Sequence, residues 1–94
     1  MAAVHHKHVD PGDWRTLETT INQGAAMGVR SPSGAKIKVS HWLFSSQEQT
    51  LDGANIKVLE TKFGKFQIQV RSSTDVVYSW EPRGGPGTLP PIPF

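Results

Sequence analysis

The ten residues Ala35-Lys36-Ile37-Lys38-Val39-Ser40-His41-Trp42-Leu43-Phe44 alternate between two sets of side chains, and this alternation decides the fold class. Apolar residues and His41 share one parity, whereas two lysines, a serine and two aromatic residues share the other. A period of two is typical of a β-strand with one face in a core. We therefore expect a strand over residues 35–44 whose second face carries both lysines and Trp42.

The segments that follow and precede this stretch show the same period. Apolar alternation occurs at residues 25–29, 56–62, 65–71 and 76–80, with turn residues between them. Residues 45–55 are polar and are predicted to form a loop. The side chains expected to face the core are Ala25, Met27, Val29, Ile56, Val58, Phe66, Ile68 and Val70.

Residues 14–23 are compatible with two structures. Asp10 as a cap and the spacing of Trp14, Leu17 and Ile21 suit a helix. The alternation over 16–22, which is rich in threonine, suits a strand. We favour the strand, and the helix stays an alternative.

Together these segments predict an all-β domain of five to six short strands, closed as a small antiparallel sandwich or barrel. Residues 1–13 are predicted to be an extended N-terminal arm, and residues 14–81 the β domain. Residues 82–94 are rich in proline and glycine, which are unsuited to a helix or a central strand. They are predicted to be an extended C-terminal tail.

Length and composition exclude several classes of protein. The chain has 94 residues and no cysteine, so we expect one small domain without disulfides, thiolate metal sites or a thiol nucleophile. No apolar run approaches the roughly 18 residues that a membrane span needs. The first residues lack the apolar segment of a secretory signal, so synthesis in the cytoplasm is expected and the final compartment stays open.

Basic residues recur on the outward parity of the predicted strands, beside one tryptophan and two amides. Lysine and arginine neutralise phosphates, and an aromatic ring stacks on a base. The same lysines can instead serve only to keep strand edges from associating. The expected binding residues are Trp42, Lys36, Lys38, Lys57, Lys65, Arg71, Gln67 and Gln69.

No pattern in the chain predicts catalysis. The spacing of residues does not bring a serine nucleophile together with a base and an oxyanion hole. The sequence also lacks a phosphate-binding loop and a dinucleotide fingerprint. His41, on the core parity, is expected to be structural. His6 and His8 point the same way in an extended arm, but an arm alone does not pre-organise them, so no metal and no cofactor is expected.

The sequence therefore predicts a non-enzymatic binding or assembly module, an accessory or decoration-type structural protein. It would dock onto copies of itself or onto a larger assembly such as a virus particle, with Leu89, Ile92 and Phe94 of the tail as anchors. The low apolar fraction, 36%, and the two non-core ends motivate this hypothesis. One alternative is an OB-like module that binds single-stranded nucleic acid through the basic residues. Another is a lectin-like module that binds a sugar with Trp42, Gln67 and Gln69.

Overall fold

Residues Ala35–His41 of the quoted stretch form the fourth of eight strands in the described part of the chain. The computed structural model describes residues 3–20, 24–42, 45–53, 55–61, 65–83 and 86–93, and no α-helix occurs among them. A single 3-10 turn follows the last strand at Pro86–Thr88. The strands are β1 (Ala3–Lys7), β2 (Arg15–Thr20), β3 (Ala25–Arg30), β4 (Ala35–His41), β5 (Gln47–Leu51), β6 (Lys57–Thr61), β7 (Phe66–Arg71) and β8 (Val76–Pro82).

The strands lie in two four-stranded sheets. The first sheet has the order β1–β8–β3–β6 and the second the order β2–β7–β4–β5, with antiparallel neighbours throughout. β1 pairs with β8, β2 with β7, β3 with β6 and β4 with β5, as in one long hairpin that has been rolled up. This order is that of a jelly roll, which distributes its eight strands over two sheets. The prediction of an all-β antiparallel fold is confirmed.

The predicted number of strands is wrong because two edge strands were missed. β1 lies inside the predicted N-terminal arm and pairs with β8, while β5 lies inside the predicted loop and pairs with β4. Each ends a sheet, and most of its side chains are exposed. A strand with solvent on both faces needs no apolar alternation, so its sequence carries no period of two.

The core lies between the two sheets and uses the inward parity that the sequence predicts for three strands. Because successive side chains of a strand point to opposite faces, alternate residues of β3, β4 and β7 enter it. The core also contains Leu17 of β2, Val76 and Tyr78 of β8, and Val9, Leu51 and Leu59. The buried residues on this parity of the three strands are Ala25, Met27, Val29, Ala35, Ile37, Phe66, Ile68 and Val70.

The parity predicted for β6 is wrong by one residue. Leu59 is 2% exposed and pairs with Met27, whereas Val58 pairs with Gly28 and is 40% exposed. A shift of one residue moves every side chain of a strand to the other face. Lys57, predicted to face outward, is therefore opposite Val29 on the inward parity.

The segment that fitted either a helix or a strand is a strand. β2 pairs with β7 and contains a bulge between Thr16 and Glu18, which places Leu17 in the core. Several predicted features fall on residues outside the described part of the chain. They are Ile21 and Asn22, Leu43 and Phe44, Lys62 with the turn at 63–64, and Phe94.

The described tail residues fold back over the outer face of the first sheet. A Cβ atom placed on Gly28 would lie 3.1 Å from Cδ1 of Ile92 and 3.5 Å from Cδ1 of Leu89, so the missing side chain of this glycine lets the tail approach. Arg30 donates a hydrogen bond of 3.4 Å from Nη1 to the carbonyl of Ile92. Ile92 is buried, as are Ala26 and Ser79 of the strands beneath it.

Candidate functional site

The outer face of the second sheet gathers most of the predicted binding residues. Pairing of β4 with β7 places Lys36 opposite Arg71, Lys38 opposite Gln69, and Ser40 opposite Gln67. These residues alternate with the buried side chains of the same strands, so they point away from the core. We call the side chains of Lys36, Lys38, Gln67, Gln69 and Arg71, with Trp42 and Lys65 at one end, the basic face.

Trp42 lies just beyond β4, at the end of the basic face, and is 62% exposed. Its main-chain nitrogen donates to the carbonyl of Lys65 over 3.0 Å, which holds these two residues side by side. An open cavity of about 330 Å³ adjoins them. It is lined by Thr19, Ser40, His41, Trp42, Lys65, Phe66 and Gln67. An exposed ring beside hydroxyl and amide groups can stack on a planar ligand and hydrogen-bond its edge.

Trp14 belongs to the same surface, although the sequence analysis did not assign it to the binding residues. The ammonium nitrogen of Lys38 lies 4.5 Å from the centroid of the Trp14 ring, a cation–π contact. Trp14 precedes β2, and in the sequence its spacing to Leu17 pointed to a helix face. The two residues meet because the strand order β2–β7–β4 brings the start of β2 close to Lys38. Local spacing in the sequence does not encode this order.

Lys57 is not part of the basic face. It lies on β6, the edge strand of the first sheet, and its side chain takes the inward parity. A charged side chain that points inward from an edge strand disfavours pairing with another chain. Lys57 thus fits the alternative in which a lysine protects an edge.

The basic face also contains one acid that the prediction did not place there. β5 pairs with β4 so that Glu48 is directly opposite Lys38 and Thr50 is opposite Lys36. Because β5 was predicted to be a loop, Glu48 was not assigned to any face. The surface is therefore basic at Lys36, Arg71 and Lys65, and of mixed charge at Lys38.

His6 of β1 and His8, just after β1, form a polar cluster with two aspartates. His8 lies with Nδ1 2.6 Å from Oδ1 of Asp75 and Nε2 3.1 Å from Oδ1 of Asp10, and His6 Nε2 lies 3.2 Å from Oδ2 of Asp75. The hydrogen bond with Asp75, then that with Asp10, raises the pKa of His8, and the hydrogen bond from His8 lowers the pKa of Asp75. Across the described residues, no group of three or more acidic or imidazole side chains is placed to hold a metal ion.

The tail residues expected to dock onto a partner contact the chain's own first sheet. Ile92 is 6% exposed and Leu89 reaches the same glycine. The third anchor, Phe94, lies outside the described residues. Among the described residues, no helix is long and apolar enough to cross a membrane.

No protein-family profile, curated protein or solved structure matches this chain.

Proposed function

We propose that this protein is a non-enzymatic binding module that holds a single-stranded nucleic acid on the basic face. One observation carries the proposal: the exposed ring of Trp42 stands at the end of a sheet face whose β4 and β7 rows present Lys36, Lys38 and Arg71. Cationic side chains follow a phosphate backbone, and stacking on an exposed aromatic ring contributes about 1–3 kcal/mol per base.

The dimensions of the face suit a short strand. From Lys36 to Trp42 the chain is extended along β4, and at about 3.3 Å per residue this is a length of about 20 Å. Basic groups lie at both ends of that length, Lys36 with Arg71 at one and Lys65 at the other. Gln67 and Gln69 between them supply donors and acceptors for base edges or sugars.

The end segments offer less support for assembly through extended arms. β1 is paired within the first sheet, and Ile92 is buried on that sheet. Arms that pack on their own domain are not available to reach a neighbour unless they detach. The basic face lies on the other sheet.

The proposal rests on side chains and not on the type of fold. An OB-fold is a five-stranded barrel, whereas this chain has two four-stranded sheets. The strand arrangement therefore differs from that of an OB-fold. Fold likeness alone does not determine function, and this difference does not remove the basic face.

A fluorescence titration with an oligothymidylate about eight nucleotides long tests the proposal. We expect quenching of tryptophan at low salt and an affinity that falls steeply as salt increases, because bound phosphates release counterions. Trp42→Ala should weaken binding about tenfold or more and leave the melting temperature unchanged, since the ring is largely exposed.

Two lysine variants provide a matched control. Lys38→Gln and Lys57→Gln remove the same charge from partly buried strand residues, one on each sheet. Only Lys38→Gln should weaken binding. Equal weakening by both variants would indicate non-specific attraction, and no fluorescence change at low salt would reject nucleic acid. Binding to an oligosaccharide that is insensitive to salt would instead support the lectin-like alternative.

A second candidate function is assembly with a second copy of the chain through the outer face of the first sheet. Val4 and Val58 lie at the two ends of one row across that sheet and are 42% and 40% exposed. The tail covers Gly28 and Ser79 between them, so a second copy would meet this face at its two ends and at the tail. A face that is apolar at both ends can meet its own copy about a two-fold axis. Jelly rolls also occur in capsid domains, which is an analogy of fold only.

Light scattering after size-exclusion chromatography tests this candidate over a range of concentrations. We expect a dimer that Val58→Lys converts to a monomer, with Lys57→Gln as a control on the same strand. A monomer at every concentration would reject self-assembly through this face.

A further inference from the structure

An open cavity of about 560 Å³ lies at the end of the basic face opposite Trp42. Three turns surround it, those between β3 and β4, between β5 and β6, and between β7 and β8, together with Pro11 and Gly12 between β1 and β2. Its volume is within the range of small-molecule sites. Its charged lining residues, among those described, are Lys36, Arg71 and Asp52.

Lys36 and Arg71 are direct cross-strand partners in this cavity. Like charges that are directly opposite each other on neighbouring strands destabilise a sheet. Within the described residues, neither side chain has a carboxylate close enough for an ion pair. An anion bound between them would remove this repulsion.

The walls of the cavity are held in place by a network of hydroxyl groups. Ser72 donates a hydrogen bond of 3.0 Å to the carbonyl of Gly34, and its Oγ lies 3.2 Å from Oγ of Ser31. Ser33 and Thr74 are joined by a hydrogen bond of 2.8 Å. These contacts tie the β3–β4 turn to the β7–β8 turn, so the cavity does not have to be assembled when a ligand binds.

Gly34 brings the third turn into contact with the other two. Its φ of +85° favours glycine, and a Cβ atom there would lie 2.7 Å from the carbonyl oxygen of Leu51. The β3–β4 turn and the end of β5 can therefore approach closely at this position. Ser33, Ser73 and Thr50 also line the space that results.

We propose that this cavity binds a phosphate monoester between Lys36 and Arg71. Guanidinium groups bind phosphate oxygens in a bidentate manner, lysine adds a point charge, and serine hydroxyls can donate further hydrogen bonds. The phosphate can belong to a phosphorylated small molecule or to the terminus of a strand that lies on the basic face. The second source rests on the proposed function, while the first does not.

Inorganic phosphate, followed by amide chemical shifts of the full chain, tests the site itself. We expect shifts at Gly34, Gly53 and Ser73, and affinity at least fivefold lower in Arg71→Gln and in Lys36→Gln. Asp52→Asn should raise the affinity, because it removes the negative charge from the lining. Lys57→Gln is the control and should leave it unchanged. Equal weakening by Lys57→Gln and Arg71→Gln, or weaker binding in Asp52→Asn, would overturn the proposal.

Oligothymidylates with a 5′-phosphate, a 3′-phosphate or two hydroxyl ends distinguish the two sources. Tighter binding of one phosphorylated end, with the gain lost in Arg71→Gln, would assign the cavity to the end of a strand. Equal affinity of all three oligonucleotides would show that the cavity does not bind the end of a strand. If inorganic phosphate still binds, this result would support a small phosphorylated ligand. If phosphate binds and no oligonucleotide does, the proposed function fails and the phosphate site stands.

Discussion

The phenol hydroxyl of Tyr78 lies 3.2 Å from the main-chain oxygen of Leu17, and this hydrogen bond joins the two sheets across the core. The same hydroxyl lies 3.2 Å from a carboxylate oxygen of Glu18. Burial, and to a smaller extent the charge and hydrogen bond of Glu18, raises the pKa of Tyr78 to about 12. The phenol thus stays protonated and holds β8 to the bulge of β2.

Removing this hydroxyl should destabilise the fold. In Tyr78→Phe the carbonyl of Leu17 loses its donor from β8, and we expect the free energy of unfolding to fall by about 1–3 kcal/mol near neutral pH. Urea unfolding followed by circular dichroism measures this change. An unchanged midpoint and slope would show that the bond between the sheets contributes nothing to stability.

The raised pKa of Tyr78 predicts that the fold loses stability at alkaline pH. Its folded pKa of about 12 is above its ordinary value of 10.0, so the folded state holds the proton more tightly. The stabilisation is therefore complete below pH 10 and is lost as the pH rises through 12. The difference in stability between the wild type and Tyr78→Phe should shrink over this interval, and a constant difference would contradict the raised pKa.

The cluster of His8, Asp75 and Asp10 should stabilise the attachment of β1 in a limited pH range. Both ring nitrogens of His8 face carboxylate oxygens, and only the imidazolium has two N–H groups to donate. Because the pKa of His8 is raised, its contribution to folding stability is complete below pH 6.5 and is lost as the pH rises through the raised pKa. Because the pKa of Asp75 is lowered, its contribution to folding stability is complete above pH 3.8 and is lost as the pH falls through the lowered pKa.

The stability of wild type relative to His8→Ala should therefore be greatest between about pH 3.8 and 6.5. Nuclear magnetic resonance titration of the His8 ring provides the direct measurement, and Asp75→Asn should lower its pKa. Glu60→Gln, on β6 at the opposite edge of the first sheet, is the control and should leave it unchanged. Since these groups are exposed, high salt should weaken the effect. Identical His8 titrations in wild type and Asp75→Asn would contradict the cluster.

The contact of the tail with the first sheet should contribute measurably to stability. Burial of an isoleucine side chain is worth about 1.5–3 kcal/mol, and Ile92 is 6% exposed. Ile92→Ala should lower the free energy of unfolding by an amount of this order and make the tail more susceptible to proteolysis. Pro91→Ala, at an exposed neighbouring position, should do neither. Equal protease resistance of the wild type and Ile92→Ala would contradict the packing of the tail.

Replacing Ser79 should raise the stability of the fold, in contrast to the replacements above. Its hydroxyl is fully buried beneath the tail and has no hydrogen-bond partner among the described residues. A buried polar group without a partner costs about 1–3 kcal/mol, so Ser79→Ala should raise stability, by about 1 kcal/mol. The melting temperature measures the change. A decrease would show that the hydroxyl is satisfied in solution.

Individual strands show how far the sequence predicts the fold and the candidate site. In β4 and β7 the apolar residues alternate with lysine, glutamine and arginine, and both the strands and the residues of their outward faces were correctly predicted. In β6 both parities offer apolar residues, Val58 on one and Leu59 on the other, so local periodicity could not choose between them. In β5 no apolar alternation exists, and Glu48 was therefore not placed beside Lys38.

The sequence by itself determined the all-β class, the inward faces of β3, β4 and β7, and the outward position of Lys36, Lys38 and Arg71. These follow from a period of two, which is a property of neighbouring residues along the chain. The tertiary structure alone decided that Lys36, Lys38 and Arg71 share a face with Trp42 and Trp14, while Lys57 lies on the other sheet. It also decided that the tail packs on Gly28, because pairing between strands distant in sequence is set by packing of the whole core and not by local pattern.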